Sequence, residues 1–200
     1  MSDKFSFFQT LALKNKTYKY VPVNLLKGEQ YGEEYKKVNP RSELPTLVVG
    51  NFKITQSVAI MEFLDSEFKD SGLRIVPTDN KKAALARIIT ESINSGIQPL
   101  QNLCVLKMIK ELGGDEQKWA HDVIAKGFDA LESIMKETSG AYCVGDEITI
   151  ADICLYPQIY NANRFKVDLE KYPRIKHVYE NLMKVEAFVK AEPQNQIDSS

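Results

Sequence analysis

The chain has 200 residues, of which 44% are hydrophobic, and its 26 Lys and Arg nearly balance its 27 Asp and Glu. This composition is that of a globular protein and excludes a largely disordered one. The balanced charge gives no electrostatic reason to expect nucleic acid or an acidic membrane surface as partner, so we expect small molecules or proteins as ligands.

The cysteines and histidines argue against a disulfide framework and against a metal centre. The three cysteines are odd in number and widely spaced, with no CxxC pair: Cys104, Cys143 and Cys154. This usage favours a reducing compartment. His121 and His177 are not at ligand spacing from any cysteine, so we expect no dedicated metal site.

Residues 1–10 predict neither a secretory signal nor a membrane anchor, and the prediction is a cytoplasmic protein.

The first 75 or so residues alternate between β-rich runs and helical stretches. The β-rich runs are residues 5–8, 18–23, 46–49 and 52–54. Gly50-Asn51, between the last two runs, predicts a hairpin. Ser57 opens a segment whose apolar residues have helical spacing. The predicted order is strand, short helix, strand, loop, hairpin and helix, which is a small α/β domain.

The composition changes beyond Gly72. Residues 76–80 are turn-forming and are followed by helix-type sequence with almost no β-rich run. We therefore predict an α/β domain over residues 1–76 and an all-helical domain of about five helices over residues 82–200. The longest helix has an apolar face from Trp119 to Met135. Thr149 and Asp152 have the spacing of a capping box at the start of a buried helix.

Two short motifs are candidates for ligand binding. Pro45 separates a polar loop from an apolar strand, a position where a cis peptide makes a tight turn and the backbone of Leu44 can pair with an extended peptide. An ordinary proline at the start of a strand is the alternative. Gln56 and Ser57 precede a helix, where a hydroxyl and free N–H groups suit a carboxylate. Here the alternative is that Ser57 only caps the helix.

Several motifs in combination resemble one protein family. They are Val-Asn-Pro at 38–40, Leu-Pro-Thr-Leu at 44–47, Gln-Ser-Val-Ala-Ile at 56–60, Gly-Ile-Gln-Pro-Leu-Gln-Asn at 96–102, the run 144–152 and the run 161–169. Together they closely resemble the zeta class of glutathione transferases, the maleylacetoacetate isomerases. The likeness extends from about Leu11 to Gln196, and the runs at 96–102 and 163–169 are its most specific parts.

The resemblance implies a fold, an activity and partners. It implies a thioredoxin-like N-terminal domain and a glutathione-transferase-type helical C-terminal domain, with glutathione bound in the cleft between them. It also implies a homodimer and glutathione-dependent isomerisation of maleylacetoacetate to fumarylacetoacetate in phenylalanine and tyrosine catabolism. Glutathione transfer is an expected side activity.

The resemblance also assigns binding residues. Gln56 and Ser57 match the pair that holds the γ-glutamyl end of glutathione, and Leu44 matches the residue whose backbone pairs with the cysteinyl unit. Further matches to glutathione contacts are Gln30, Gln98, Asn102, Leu103 and Cys104. Arg164 matches a basic residue that meets the acidic substrate, and a guanidinium pairs well with a carboxylate.

The N-terminal segment departs from the family. The family's Ser-Ser-Cys-Ser-Trp-Arg stretch, which favours the glutathione thiolate, is absent after residues 5–9, which resemble the first strand. We therefore assign no catalytic residue. Only residues 10–17 separate the two predicted strands, too few for a parallel crossover with its helix. Either residues 5–9 pair differently, or the helix shrinks to about a turn, or the chain is a splice or gene-model variant with a weakened N-terminal domain.

Two classes of function follow. The first is a glutathione-dependent isomerase, in keeping with the retained binding positions. The second is a non-catalytic protein that keeps the fold and glutathione binding, or serves as an interaction module, in keeping with the missing stretch. A thioredoxin-like oxidoreductase is disfavoured, because there is no CxxC and no cysteine in the first domain.

Overall fold

The computed structural model describes residues 3–25, 27–192 and 195, which form two compact units. The first unit is Asp3–Arg74 together with the described residues from Val189 onward, and the second is Ile75–Phe188. The division thus lies between Arg74 and Ile75, and the C-terminal segment groups with the first unit. Both findings differ from the prediction from composition, which puts the boundary after residue 76 and the C-terminal segment in the helical domain.

The described secondary structure is mostly helical. The α-helices are α1 (Asp3–Leu13), α2 (Glu33–Lys36), α3 (Ser57–Glu67), α4 (Asn80–Asn94), α5 (Leu103–Glu111), α6 (Glu116–Thr138), α7 (Ile150–Arg164), α8 (Pro173–Leu182) and α9 (Glu186–Lys190). The strands are β1 (Thr46–Val49) and β2 (Phe52–Thr55), and short 3-10 helices cover Glu29–Tyr31, Gln98–Gln101 and Leu169–Lys171. None of the described helices is both long enough and apolar enough to cross a membrane.

The predicted hairpin is confirmed. Strands β1 and β2 are antiparallel, with Thr46 opposite Thr55 and Val49 opposite Phe52. Gly50 has a φ of 60° in the connecting turn, a conformation that glycine adopts without strain. One face of the hairpin packs against α1 and α3 in an apolar core that contains Leu11, Ile54, Ile60 and Leu64.

The predicted first strand is wrong, because residues 5–8 lie within α1. Phe5, Phe8 and Leu11 are buried three residues apart, which is helical spacing, so burial along one helical face decides the structure of an apolar run that is also rich in β-formers. Residues 5–9 therefore do not pair differently, and the helix does not shrink to a turn: in the described part of the chain, the helix forms and the strand before it is not seen.

The second predicted strand, residues 18–23, is also wrong, because this segment is in no regular secondary structure. A strand requires a neighbouring strand to satisfy its backbone groups, and the sheet described here contains only β1 and β2. The aromatic residues of the segment pack on α1 instead. The rings of Tyr18 and Tyr20 each lie with their centroids 5.4 Å from that of Phe8.

The second unit is all-helical, as predicted, and α7 is buried along most of its length. On α6 the buried face includes Ile124, Phe128, Leu131 and Met135, which confirms the predicted apolar face. At its margin, Trp119 is partly exposed, and its indole N–H donates to the Leu100 carbonyl at 2.9 Å.

The predicted capping box at the start of α7 is confirmed. The Thr149 N–H donates to Asp152 Oδ2 at 2.8 Å, and the Thr149 side chain accepts from the first turn of the helix. Asp152 Oδ1 also accepts the Cys143 N–H at 2.8 Å. Burial raises the pKa of the Asp152 carboxyl, although the N–H groups of Cys143 and Thr149 oppose that effect. The carboxyl group thus joins the preceding loop to the buried helix.

Candidate functional site

The peptide bond between Leu44 and Pro45 is cis. The loop before it is held at the Glu43 carbonyl, which accepts the Tyr35 hydroxyl at 2.7 Å and the Asn39 side-chain amide at 2.8 Å. Because the carbonyl on its N-terminal side is fixed by two donors, the half-buried Leu44 is held where the loop turns into β1.

Gln56 occupies an unusual backbone conformation between β2 and α3. Its φ is 72° and its ψ is 122°, and a residue other than glycine at positive φ costs about 1–3 kcal/mol, a strain that is concentrated at ligand-binding sites. Gln56, and not Ser57, is at the N-cap position of α3, and the Gln56 side chain makes no capping hydrogen bond. The alternative in which Ser57 only caps α3 is therefore wrong. Ser57 is the first helical residue and is 9% exposed.

Two charged residues that the sequence motifs do not predict join these motifs. Glu43 Oε2 accepts the Gln56 side-chain amide at 3.2 Å. Arg41 donates to both carboxylate oxygens of Glu43, at 2.9 and 3.0 Å, and its hydrogen bond lowers the pKa of that carboxyl.

The structure thus brings Leu44, Gln56 and Ser57 together. The only sequence signal was an Arg and a Glu two residues apart beside Pro45, which is indistinguishable from ordinary surface charge.

These residues are suited to bind the end of a ligand that carries an α-ammonium and an α-carboxylate group, as an amino acid does. The Glu43 carboxylate can accept an α-ammonium group, while the Arg41 guanidinium and the N–H groups at the start of α3 can donate to an α-carboxylate. We name Arg41, Glu43, Leu44, Gln56 and Ser57 the hairpin site.

Gln30 lies in the first unit, in the 3-10 helix Glu29–Tyr31. Its side chain is 7% exposed, and its Oε1 has no hydrogen-bond partner among the described residues. A buried amide oxygen is normally paired, so this atom is available to a donor. No hydrogen bond within the described residues connects Gln30 to Gln56.

Four predicted contacts lie together in the second unit. Gln98 begins the 3-10 helix Gln98–Gln101, and Asn102 follows as the N-cap of α5. The Asn102 Oδ1 accepts the Cys104 N–H at 3.4 Å and lies 3.7 Å from the Cys104 sulfur. Leu103 and Cys104 are exposed in the first turn of α5.

Arg164 is the last residue of α7 and is exposed. Its guanidinium carbon lies 5.3 Å from the centroid of the Phe165 ring, which limits the orientations of the side chain. A positive charge held at the end of a buried helix is suited to a carboxylate ligand.

The N-terminal helix does not supply a substitute for the missing serine and cysteine stretch. Ser6 is buried within α1, and the Thr10 hydroxyl donates back to the Ser6 carbonyl at 2.7 Å. All three cysteines lie in the second unit. The structure therefore gives no reason to assign a catalytic residue in α1.

Comparison with known proteins extends the likeness over the whole chain. The sequence model of the glutathione S-transferase N-terminal domain matches residues 4–66, and that of the glutathione S-transferase C-terminal domain matches residues 103–191. The mouse protein named maleylacetoacetate isomerase is 46% identical over 191 residues, which is 94% of this chain and 87% of the mouse protein.

Solved structures similar to this chain belong to the same family. A maleylacetoacetate isomerase from Anaeromyxobacter dehalogenans, solved with bound glutathione, is 36% identical with a TM-score of 0.89, and the match covers 100% of this chain and 94% of that one. The same protein was also solved with dicarboxyethyl glutathione and citrate. A zeta-class maleylpyruvate isomerase is 32% identical with a TM-score of 0.93, and covers 100% and 96%.

The two domain matches, the identity to the mouse protein and the structural likeness lead to one conclusion. This chain belongs to the glutathione S-transferase family, in its zeta class of maleylacetoacetate isomerases, and has the glutathione transferase fold of a small thioredoxin-like domain followed by an all-helical domain.

Proposed function

We propose that this protein catalyses the glutathione-dependent isomerisation of maleylacetoacetate to fumarylacetoacetate in phenylalanine and tyrosine catabolism. The observation that carries the proposal is the hairpin site, in which Glu43 joins the loop of Leu44 and cis-Pro45 to Gln56 and Ser57. It occurs in a chain that is 46% identical to the mouse enzyme.

The hairpin site binds the peptide part of glutathione. Gln56 and Ser57 hold the γ-glutamyl carboxylate, and Glu43, oriented by Arg41, accepts the γ-glutamyl ammonium group. The backbone of Leu44 pairs with the cysteinyl unit in the manner of an added strand. Further contacts come from a second set: Gln30, Gln98, Asn102, Leu103 and Cys104.

The chemistry is addition and elimination at one double bond. The glutathione thiolate adds to the cis carbon–carbon double bond, and the π electrons move onto the conjugated carbonyl as an enolate. The former double bond is then single and rotates. The enolate reforms the double bond in the trans geometry and expels the thiolate, so glutathione is regenerated. Arg164 pairs with a substrate carboxylate during these steps.

A relative supports this sequence of steps. The Anaeromyxobacter enzyme was solved with dicarboxyethyl glutathione, a molecule in which the glutathione sulfur carries a dicarboxylate. Such a thioether corresponds to the adduct that thiolate addition forms. The enzyme names of the curated relatives do not favour the non-catalytic alternative. Because the thiolate-stabilising stretch is missing, we assign that role to no residue, and we expect a slow isomerase with some glutathione transferase activity.

The protein is further proposed to be a cytoplasmic homodimer. Val49 and Phe52 face each other across the hairpin and are 46% and 58% exposed, an apolar surface suited to a second copy. The thiols of Cys104, Cys143 and Cys154, none of which is in a disulfide in the described part of the chain, are suited to a reducing compartment.

The test is a calorimetric titration with glutathione, followed by an isomerase assay on the same sample with maleylacetone as substrate surrogate. We expect binding and slow turnover. Binding without turnover would favour the non-catalytic alternative, and an absence of binding would contradict the roles of Leu44, Gln56 and Ser57.

A further inference from the structure

A pair of buried amides connects two parts of the second unit. Gln101 and Gln158 are 7% and 0% exposed. The Gln101 Nε2 donates to Gln158 Oε1 at 2.6 Å, and the Gln158 Nε2 donates back to Gln101 Oε1 at 3.5 Å. Each amide thus satisfies the other in a setting where an unpaired amide would be costly.

On one side, the pair holds the segment that carries four predicted glutathione contacts. Gln101 ends the 3-10 helix that begins at Gln98, and its neighbour Asn102 caps α5. The exposed Leu103 and Cys104 follow at once. Gln101 is therefore the buried residue of a turn whose flanking residues are largely exposed.

On the other side, the pair is attached to the most deeply buried helix. Gln158 lies in α7 directly after Pro157, and Arg164 ends the same helix. A helix enclosed by other helices moves little, so a hydrogen-bonded side chain on it fixes the position of whatever it binds. An amide pair also imposes direction, because donor and acceptor must face each other, whereas an apolar pair only fills space.

We infer that Gln101 and Gln158 are positioning residues that fix the 98–104 segment on α7. They thereby hold the glutathione contacts at the start of α5 in a fixed position relative to Arg164. The expected effect of this pair on glutathione affinity rests on the proposed function. Its expected effect on the order of the 98–104 segment does not rest on it. Measuring both effects therefore distinguishes failure of the inference from failure of the proposed function.

The test uses the full chain with Gln158→Leu and with the double variant Gln101→Leu, Gln158→Leu. In the single variant the Gln101 amide loses its partner, so we expect a lower Tm and a KM for glutathione raised about tenfold, with kcat nearly unchanged. In the double variant both amides are gone, so the Tm should return toward the wild-type value. The KM for glutathione should stay raised, because two leucines do not fix the orientation of the segment as the hydrogen-bonded amides do.

The control is Thr90→Val. Thr90 is fully buried in the same unit and its hydroxyl has no partner among the described residues, so removal of this polar group should leave KM unchanged. If the double variant recovers both Tm and KM, the pair only supports the fold and the inference is wrong.

Amide hydrogen exchange without glutathione gives the independent readout. We expect exchange in the 98–106 segment to be about tenfold faster in the double variant than in the wild type, with little change in α6. Unchanged exchange there would overturn the inference. If the wild type bound no glutathione, the proposed function would fail, and faster exchange would still support the positioning role.

Discussion

Lys14 and Asp65 form an ion pair inside the first unit, with Lys14 Nζ 2.7 Å from Asp65 Oδ1 and side-chain exposures of 0% and 3%. Lys14 Nζ also donates to the Phe68 carbonyl at 3.3 Å, and Arg74 lies 3.7 Å from the other Asp65 oxygen. The pair joins the end of α1 to α3 and thereby supports the helices on which the hairpin packs.

Lys14→Met should lower the free energy of unfolding by about 3 kcal/mol, because it removes the close partner of a buried carboxylate. Chemical denaturation measures the change. Lys36→Met is the matched control, since Lys36 pairs with Glu33 at 3.2 Å on the surface and its loss should cost at most about 1 kcal/mol. Equal losses in the two variants would show that the Lys14 pair adds nothing through burial.

Gly72→Ala should destabilise the first unit by at least about 3 kcal/mol. Gly72 has a φ of 63°, and a Cβ there would lie 2.1 Å from the Leu13 carbonyl oxygen, which accepts the Leu73 N–H. Gly50→Ala has a similar φ of 60° but an open surrounding, so it should cost only about 1 kcal/mol. Thermal unfolding of both variants separates the clash from the backbone strain, and similar Tm values would rule out the close approach.

Gln56→Ala should weaken glutathione binding about tenfold, because it removes an amide donor from the hairpin site. Calorimetry measures the Kd. Gln117→Ala alters an exposed glutamine at the start of α6 and should leave the Kd unchanged. An unaltered Kd in Gln56→Ala would mean that the γ-glutamyl end binds elsewhere.

Asp152→Ala should cost about 3–5 kcal/mol, since it leaves the Cys143 and Thr149 N–H groups buried without an acceptor. Asp115→Ala removes the N-cap of α6, where Asp115 accepts from Gln117 and Lys118 at the surface, and should cost about 1 kcal/mol. Denaturant midpoints of the two variants give the comparison, and a small effect of Asp152→Ala would contradict a buried network.

Much of the fold follows from local chemistry. Gly50-Asn51 between two apolar runs specifies the hairpin, and Thr149 with Asp152 specifies the start of α7. The helices after residue 80 show their apolar faces in the sequence, as α6 does at Ile124, Phe128 and Leu131. These features depend on residues within a few positions of one another, so a single sequence is enough to predict them.

Only part of the candidate site can be predicted from the sequence in this way. Pro45, Gln56 and Ser57 stand out because of their places before a strand and a helix. Glu43 does not, because its contact with Gln56 spans 13 positions and requires the hairpin to form first. For the same reason no local pattern predicts the contact between Gln101 and Gln158, which are 57 positions apart.

By itself, the sequence determined the hairpin, the helical second unit and the family to which the chain belongs. Tertiary structure alone decided the state of residues 5–8 and 18–23. Both runs have the composition of strands, but a strand is stable only beside a partner that takes up its hydrogen bonds. With only β1 and β2 in the described sheet, residues 5–8 bury their phenylalanines as a helix, and Tyr18 and Tyr20 pack against it.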